Sequence, residues 1–411
     1  MADWSELPND ILGLIADRLL FLLDLYHFAS VCKLWRPIAL EKRHLSCQRP
    51  PLLMLPYEED SATCSFISIS NMEICKIFLP ELRNKWCCGS SYGWLFTMDD
   101  DLEIYLLNPL SRVQVKLPPH PMFPDIIRRR KALGEKSDIW KYEIIHKVML
   151  SDDPISNPNF LIMAIVSEYD ECTFCRPGDK TWTSFKDWFK HYRCFCNAAI
   201  YDEKIYAVCI NSIGVEFNIN TLSVAQLVLD IPHARKDVED IRYVVKSGEE
   251  ILYILRYWTI IPHDEDGQEQ LQDSGKDDDS NDDEDNDDDD DDSDEEEDEE
   301  DDNYFRTPFY RTVGFDVYKL ELLKPGYEWI EVKSLGDRAL FLDRGHCLSI
   351  YASDSNKCKA NCIYFLDDNF YDCMRMIPRC SDTGIFNMVD GSIEPLPIAP
   401  LWSTPAIWLT Q

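Results

Sequence analysis

Long hydrophobic runs are missing from this chain. Near the N-terminus the apolar stretch Leu19 to Leu23 covers five residues, against the roughly 20 that a membrane-spanning helix needs. No basic segment of the kind that opens a secretory signal precedes it. The expectation is a protein that is neither exported nor embedded in a membrane. Catalytic signatures are equally scarce: the sequence holds no H-E-x-x-H, G-x-S-x-G, P-loop or dinucleotide-binding glycine pattern, and its eight histidines are scattered. With no nucleophile and base in a known arrangement, the reading is a binding protein rather than an enzyme, with no cofactor. Positive charge is in short supply as well, 41 Lys and Arg standing against 75 Asp and Glu for a net charge of −34. No basic face is left to neutralise phosphates, which argues against a nucleic-acid partner.

What the chain does have is size and apolar bulk. Its 411 residues, 45% hydrophobic with 11 Trp, 19 Tyr and 19 Phe, suffice for a large core. The negative charge is local: residues 264 to 302 hold 27 Asp and Glu and one Lys, so the remainder carries only −8. Carboxylates that repel one another, with almost no apolar side chains among them, cannot offset chain entropy, and 264–303 is expected to be disordered. Strand-like segments flank it, Ile251 to Ile261 and Tyr310 to Leu320, so it reads as an insertion within a hairpin. Loop-closure entropy rises slowly enough with length for a hairpin to tolerate it. Such a run serves as a solvating spacer or as a lure for basic partners. The basic tetrad Arg128-Arg129-Arg130-Lys131 reads as a solvated loop, a nuclear-import signal or a patch for an acidic target.

Sixteen cysteines in a chain without an export signal point to reduced, buried thiols and to the nucleus and/or cytoplasm. Cys172-x2-Cys175 and Cys194-x-Cys196 bring four thiols into 25 residues. C-x-C on a strand merely puts both sulfurs on one face, unlike the C-x2-C turns of zinc ribbons, so these read as structural thiols with no metal.

The first 46 residues have helical periodicity. Ile11, Leu12, Ile15 and Leu19 fall on one face, and Leu25, Phe28, Val31, Cys32 and Trp35 on another, which predicts two helices. Pro8 suits the start of the first, Asp24 can cap the second, and Pro37 bends or ends it. From about residue 50 the texture changes to short segments of Ile, Val, Tyr, Trp and Phe separated by Asp, Asn, Gly and Pro turns. Residues 198 to 229 read as four short antiparallel strands, with turns at Asp202 to Lys204 and Asn211 to Gly214. Similar units appear at Trp94 to Leu117 and Phe315 to Ile350. The fold class is mainly β, a propeller of about six or seven blades at about 40 to 50 residues per blade. The domain reading is 1–46 helical, 47–263 propeller, 264–303 acidic insertion and 304–411 propeller.

In the helical segment, Leu7-Pro8, Asp10-Ile11-Leu12, Ile15, Arg18-Leu19, Asp24-Leu25, Phe28, Val31-Cys32 and Trp35-Arg36 resemble an F-box. Downstream, Gly89 to Leu95 with Asn108-Pro109 and Leu117-Pro118, Trp329 to Val332 with Leu335 to Phe341, and Asn361 to Phe365 are similar to the plant F-box proteins with domain of unknown function 295, the KIB-type propellers. The resemblance implies a substrate-recognition subunit of an SCF-type cullin-RING ubiquitin ligase. Its F-box docks a Skp-type adaptor and, through it, a cullin, and its propeller holds a target protein that becomes ubiquitinated. The adaptor-binding residues implied are Leu7, Pro8, Ile11, Leu12, Ile15, Leu25, Val31, Cys32 and Trp35. A unit of 45 or so residues has too much surface to bury all of these internally. The alternative is a non-catalytic scaffold whose F-box-like cap assembles no ligase. Tyr92, Trp182, Trp188, Trp258 and Tyr327, near expected turns, are either target-binding anchors or interior packing residues.

Overall fold

The computed structural model describes residues 4, 7–19, 22–43, 50–55, 61–109, 111–121, 123–125, 128, 144–166, 171–185, 195–209, 214–221, 223–227, 239–261, 309–323, 326–343, 345, 347–352, 358–367, 382–396 and 406–409. Three helices come first: α1 (Asn9–Ala16), α2 (Leu22–Val31) and α3 (Trp35–Arg43). The periodicity predicted two. The chain instead turns after Val31, the Trp35 amide bonding to the Cys32 carbonyl at 3.3 Å, and starts a third helix. Pro37 lies in the first turn of α3, where its missing N–H would have no intrahelical acceptor. Leu12, Ala16, Leu25, Phe28, Trp35, Ile38 and Ala39 form a core that, among the described residues, draws on none of the β-domain.

The remainder is a six-bladed propeller. Blade 1 holds β1 (Leu52–Met54), β2 (Thr63–Ser68) and β3 (Ile74–Phe78); blade 2 holds β4 (Lys85–Ser91), β5 (Trp94–Asp99), β6 (Ile104–Leu107) and β7 (Gln114–Lys116). Blade 3 comprises β8 (Ile145–Leu150), β9 (Ile162–Val166), β10 (Glu171–Cys175) and β11 (Thr183–Ser184). Blade 4 comprises β12 (Phe195–Tyr201), β13 (Lys204–Cys209), β14 (Gly214–Asn218) and β15 (Ser223–Leu227). Blade 5 is β16 (Glu239–Ser247), β17 (Glu250–Ile261), β18 (Phe309–Leu323) and β19 (Gly326–Glu331). Blade 6 adds β20 (Arg338–Leu342), β21 (Leu348–Tyr351), β22 (Cys362–Phe365), β23 (Gly384–Asn387) and β24 (Ile393–Pro395). The last strand, β25 (Ile407–Leu409), returns to pair with β1, so the C-terminal end of the chain closes the ring on its first blade.

The hairpins follow from turn chemistry. Tyr92 and Gly93, like Asp202 and Glu203, have positive φ at both central positions of a two-residue loop, the backbone twist that joins antiparallel strands tightly. Two expectations change. Phe315 to Ile350 is not one unit, since β18 and β19 complete blade 5 while β20 and β21 open blade 6. Blade 6 is also irregular: the β20–β21 hairpin folds inward, leaving β20 parallel to β22. β17 and β18 are hydrogen-bonded neighbours on either side of residues 262–308; the acidic insertion expected to be disordered lies outside the described residues.

Hydrophobic cores lie between blades rather than within them. Trp86, Trp94 and Phe96 of blade 2 meet Ile145 and Val148 of blade 3, Met163 and Phe174 of blade 3 meet Ile205 and Phe217 of blade 4, and each of the other four junctions has its own cluster. No blade buries its faces alone, so the stability of each depends on its neighbours.

Around the axis stand the innermost strands β25, β4, β8, β12, β16 and β21, and polar contacts join five of the six neighbouring pairs, while Asp343, in the turn before β21, bonds to β25. Ser90 Oγ donates to the Trp408 carbonyl, and the Leu150 amide donates to Ser91 Oγ at 3.1 Å. Asn197 Oδ1 accepts from Lys147 Nζ at 2.8 Å and from the Val244 amide at 3.0 Å. Ser247 and Ser349 hydroxyls bond at 2.8 Å, and Asp343 Oδ2 accepts from the Trp408 amide at 2.9 Å. Lys147 meets Asn197 near the starts of β8 and β12, and Ser91 meets Leu150 at the ends of β4 and β8, so these inner strands run the same way. The propeller therefore has one face where inner strands start and another where they finish. Asn197→Ala removes the acceptor for two buried donors, each worth about 1–3 kcal/mol when orphaned. The expected result is a loss of about 2–4 kcal/mol in urea unfolding, against little change for an exposed control such as Ser223→Ala.

Candidate functional site

The helical unit presents the most concentrated set of exposed apolar side chains near one end of the chain. Leu14, Val31 and Leu34 are 58%, 57% and 62% exposed, and Pro8, Ile11 and Trp4 are exposed with them. Ile11 and Leu14, three residues apart on α1, lie side by side, and Val31 and Leu34 flank the turn between α2 and α3. Scattered single apolar residues on a surface need no explanation, but a set of this size on so small a unit points to a partner.

The residues that the sequence singles out divide three ways. Pro8, Ile11 and Val31 are exposed, and Leu7, Ile15 and Cys32 are partly buried. Leu12, Leu25 and Trp35 are buried and do not face outward as contact residues. The reason is α3: it packs against both α1 and α2, giving the unit an interior that two helices would lack. Trp35 fills it, its ring 4.5 Å from that of Phe28 and its Nε1 donating to the Trp4 carbonyl at 3.2 Å. Leu14 and Leu34 escaped the sequence reading because Leu14 lies off the periodic face of α1 and Leu34 falls in a turn that the two-helix reading did not contain.

Of the aromatic residues near expected turns, Tyr92 is exposed at the tip of the β4–β5 hairpin, on the face where inner strands finish. Trp182 is buried with its Nε1 donating to the Pro118 carbonyl at 2.8 Å, and Trp258 is buried edge-on against Tyr310. Both are packing residues. Trp188 and the Tyr327 side chain lie outside the described residues. Within the basic tetrad only Arg128 is described, and it pairs with Asp125 at 3.1 Å.

The cysteines have separate surroundings. Cys172 packs into the junction of blades 3 and 4 and Cys175 into that of blades 2 and 3, so the two sulfurs of the C-x2-C sequence lie on opposite faces of one sheet. Burial pushes both thiols up from the usual cysteine range. Burial likewise pushes the Cys64 and Cys87 thiols up to about 12. Among the described residues no group of three or more His, Cys, Asp or Glu is arranged to hold a metal.

A family model described as the KIB1-4 beta-propeller matches residues 66–387, from β2 to β23. The chain belongs to the KIB1-4 β-propeller family. Among curated relatives in Arabidopsis thaliana, the F-box protein At2g26160 is 24% identical, the match covering 91% of this chain and 98% of that protein. The F-box protein SKIP23 is 25% identical over 100% of this chain and 96% of that protein. The SKIP23 match takes in the helical unit and the propeller together. Both relatives are named as F-box proteins.

The buried thiols make the propeller sensitive to alkali. Their folded pKa values lie above those of the unfolded chain, so their contribution to stability is complete below about pH 9 and is lost as pH rises toward about 12. The expected outcome is a denaturation midpoint that falls steadily above pH 9. Replacing Cys64 and Cys87 by Ala should flatten that fall.

Proposed function

We propose that this chain is the substrate-recognition subunit of an SCF-type cullin-RING ubiquitin ligase. In this reading the helical unit binds a Skp-type adaptor and through it a cullin, and the propeller holds the target. The observation that carries it is the pairing of a separately cored helical unit, exposing Ile11, Leu14, Val31 and Leu34, with a propeller of the KIB1-4 family. Adaptor docking would bury that apolar set, at about 25 cal/mol per Å2 of apolar surface removed from water. Leu12, Leu25 and Trp35 would act indirectly by holding the exposed residues in place. No chemistry is asked of the chain itself; it brings a target within reach of a transfer reaction performed elsewhere in the complex.

The propeller separates the two attachments. The chain enters blade 1 at Leu52, which pairs with Leu409 at the end of an inner strand, so the helical unit joins the face where inner strands finish. β17 and β18 project from the opposite face, where Ile261 pairs with Phe309 beyond the start of β16 at Glu239. A target held on that opposite face would not compete for space with the adaptor.

The double substitution Val31→Asp with Leu34→Asp tests the adaptor interface. Truncating central interface anchors removes about 2 kcal/mol or more, roughly a thirtyfold loss of affinity. Calorimetric titration with a plant Skp adaptor should show at least that loss, with the thermal unfolding of the variant unchanged. Wild-type affinity in a correctly folded variant would return the helical unit to the role of a structural cap on a scaffold protein.

A further inference from the structure

Lys147 is buried at the centre of the propeller without an ion-pair partner among the described residues. Its side chain leaves β8 in blade 3, is 1% exposed, and has two polar neighbours: Asn197 Oδ1 at 2.8 Å and Cys347 Sγ at 3.5 Å. Cys347 belongs to blade 6, on the far side of the axis, and lies 200 residues further along the chain. It is buried, forms no disulfide, and its Sγ also lies 3.5 Å from the Asp343 carbonyl, to which it donates. Burying a lysine is costly, and a neutral residue of similar reach would hold the amide of Asn197 with less desolvation. Nothing in the adaptor function asks for an amine at this position.

The turn that carries Cys347 is shaped to reach across the axis. Asp343, Gly345 and Cys347 lie between β20 and β21, the hairpin that folds inward in the irregular blade 6. Close approach to blade 2 demands glycine at its tip: a Cβ on Gly345 would lie 3.2 Å from Asp343 Oδ1 and 3.3 Å from the Ser90 amide nitrogen. Opposite it, a Cβ on Gly89 would lie 3.0 Å from Val148 Cγ1. Asp343 Oδ2 fixes the base of the turn by accepting from the Trp408 amide at 2.9 Å. The thiol thus sits 3.5 Å from the amine, on a turn packed closely against blade 2.

We propose that Lys147 and Cys347 form an oxidation-dependent covalent cross-link, a sulfenamide spanning the propeller axis. The oxidant is a peroxide. In the first step the thiol sulfur attacks one peroxide oxygen, the O–O bond breaks, and Cys347 becomes a sulfenic acid with release of one water. In the second step the lone pair of the Lys147 nitrogen attacks that sulfur, an N–S bond forms, and the S–O bond breaks. The departing hydroxyl takes a proton from the nitrogen and leaves as a second water. The sulfur is oxidised by two electrons and the peroxide is reduced by two, so the protein loses two hydrogens in all. The bond is reversible by thiols, which attack the oxidised sulfur and return the amine and the reduced cysteine. Burial limits the entry of larger oxidants and makes the reaction slow, while the lysine beside the sulfur removes the sulfenic acid before it climbs to the irreversible sulfinic state. Because the link joins blades 3 and 6 across so long a stretch of chain, it restricts the unfolded ensemble and locks the ring.

The test is peptide mapping by mass spectrometry of the intact full chain. One sample is kept reduced and one is treated with hydrogen peroxide, then both are blocked with N-ethylmaleimide and digested with trypsin. The expected result is a joined peptide containing Lys147 and Cys347, two hydrogens lighter than its parts, uncut after Lys147, and separated by dithiothreitol. The unfolding temperature should rise in the oxidised sample and return on reduction, with no such rise in Cys347→Ala. Lys147→Arg should yield no joined peptide; should that variant not fold, the wild-type map decides alone. Recovery of Cys347 as a maleimide adduct at undiminished yield, while the exposed Met72 is converted to its sulfoxide, would overturn the proposal. So would Cys347 found as a sulfinic acid or as a disulfide beside unmodified Lys147, or a joined peptide carrying an additional oxygen.

Discussion

Everything in this molecule depends on closing the ring. No blade has a core of its own; each of the six hydrophobic clusters is shared by two neighbours, from Trp94 against Val148 to Phe341 against Trp408. A propeller that failed to close would leave one of these faces open to water, and the exposed apolar area would outweigh any local gain. Closure is carried by β25, whose Trp408 is fully buried, pairs its backbone with Leu53, and donates through Nε1 to the Leu342 carbonyl at 3.1 Å. The polar contacts around the axis then fix the registers of the inner strands relative to one another, which apolar packing alone does less specifically.

A second buried device stiffens the junction between blades 5 and 6. Arg256 is fully buried on β17 and meets Asp382 Oδ2 at 2.8 Å, Thr312 Oγ1 at 2.8 Å and the Leu366 carbonyl at 2.7 Å, with its guanidinium 4.6 Å from the Phe365 ring centre. Asp382 Oδ2 in turn accepts from the Thr312 amide at 2.9 Å and from its hydroxyl at 2.6 Å. An ion pair so deep contributes little net stability, because desolvation consumes most of the attraction, yet it tolerates only one arrangement of its partners. Its position explains that requirement. It lies at the base of the β17–β18 extension, so it fixes that hairpin relative to the ring. The resulting body has two distinct ends.

The sequence disclosed most where local chemistry decides structure. Blade 4 was readable strand by strand because its turns, Asp202-Glu203 and Asn218 to Ser223, are short and carry their own hydrogen bonds, such as the Thr221 amide to Asn218 Oδ1 at 2.9 Å. It disclosed least where distant contacts decide. Lys85 to Ser91 gave no strand signal, since Gly89 and two serines are placed there for close approach at the axis rather than for strand propensity. Nothing local announces that β20 will run parallel to β22 or that Cys347 will reach Lys147. In the helical unit the apolar positions were found, but periodicity does not say which side a third helix will cover. Leu12, Leu25 and Trp35, which the resemblance named as adaptor-binding, lie in the interior that this helix completes, and Leu14 and Leu34 passed unnoticed.

The division of labour between the two ends is the central claim, and co-purification tests it most directly. The full chain and a truncation comprising residues 47 to 411 would each be expressed with a plant Skp adaptor and cullin, and the composition of the recovered complexes measured. The account predicts that the full chain retains both partners and the truncation neither, while the truncated propeller remains folded. Retention of neither partner by the full chain, or of both by the truncation, would contradict it.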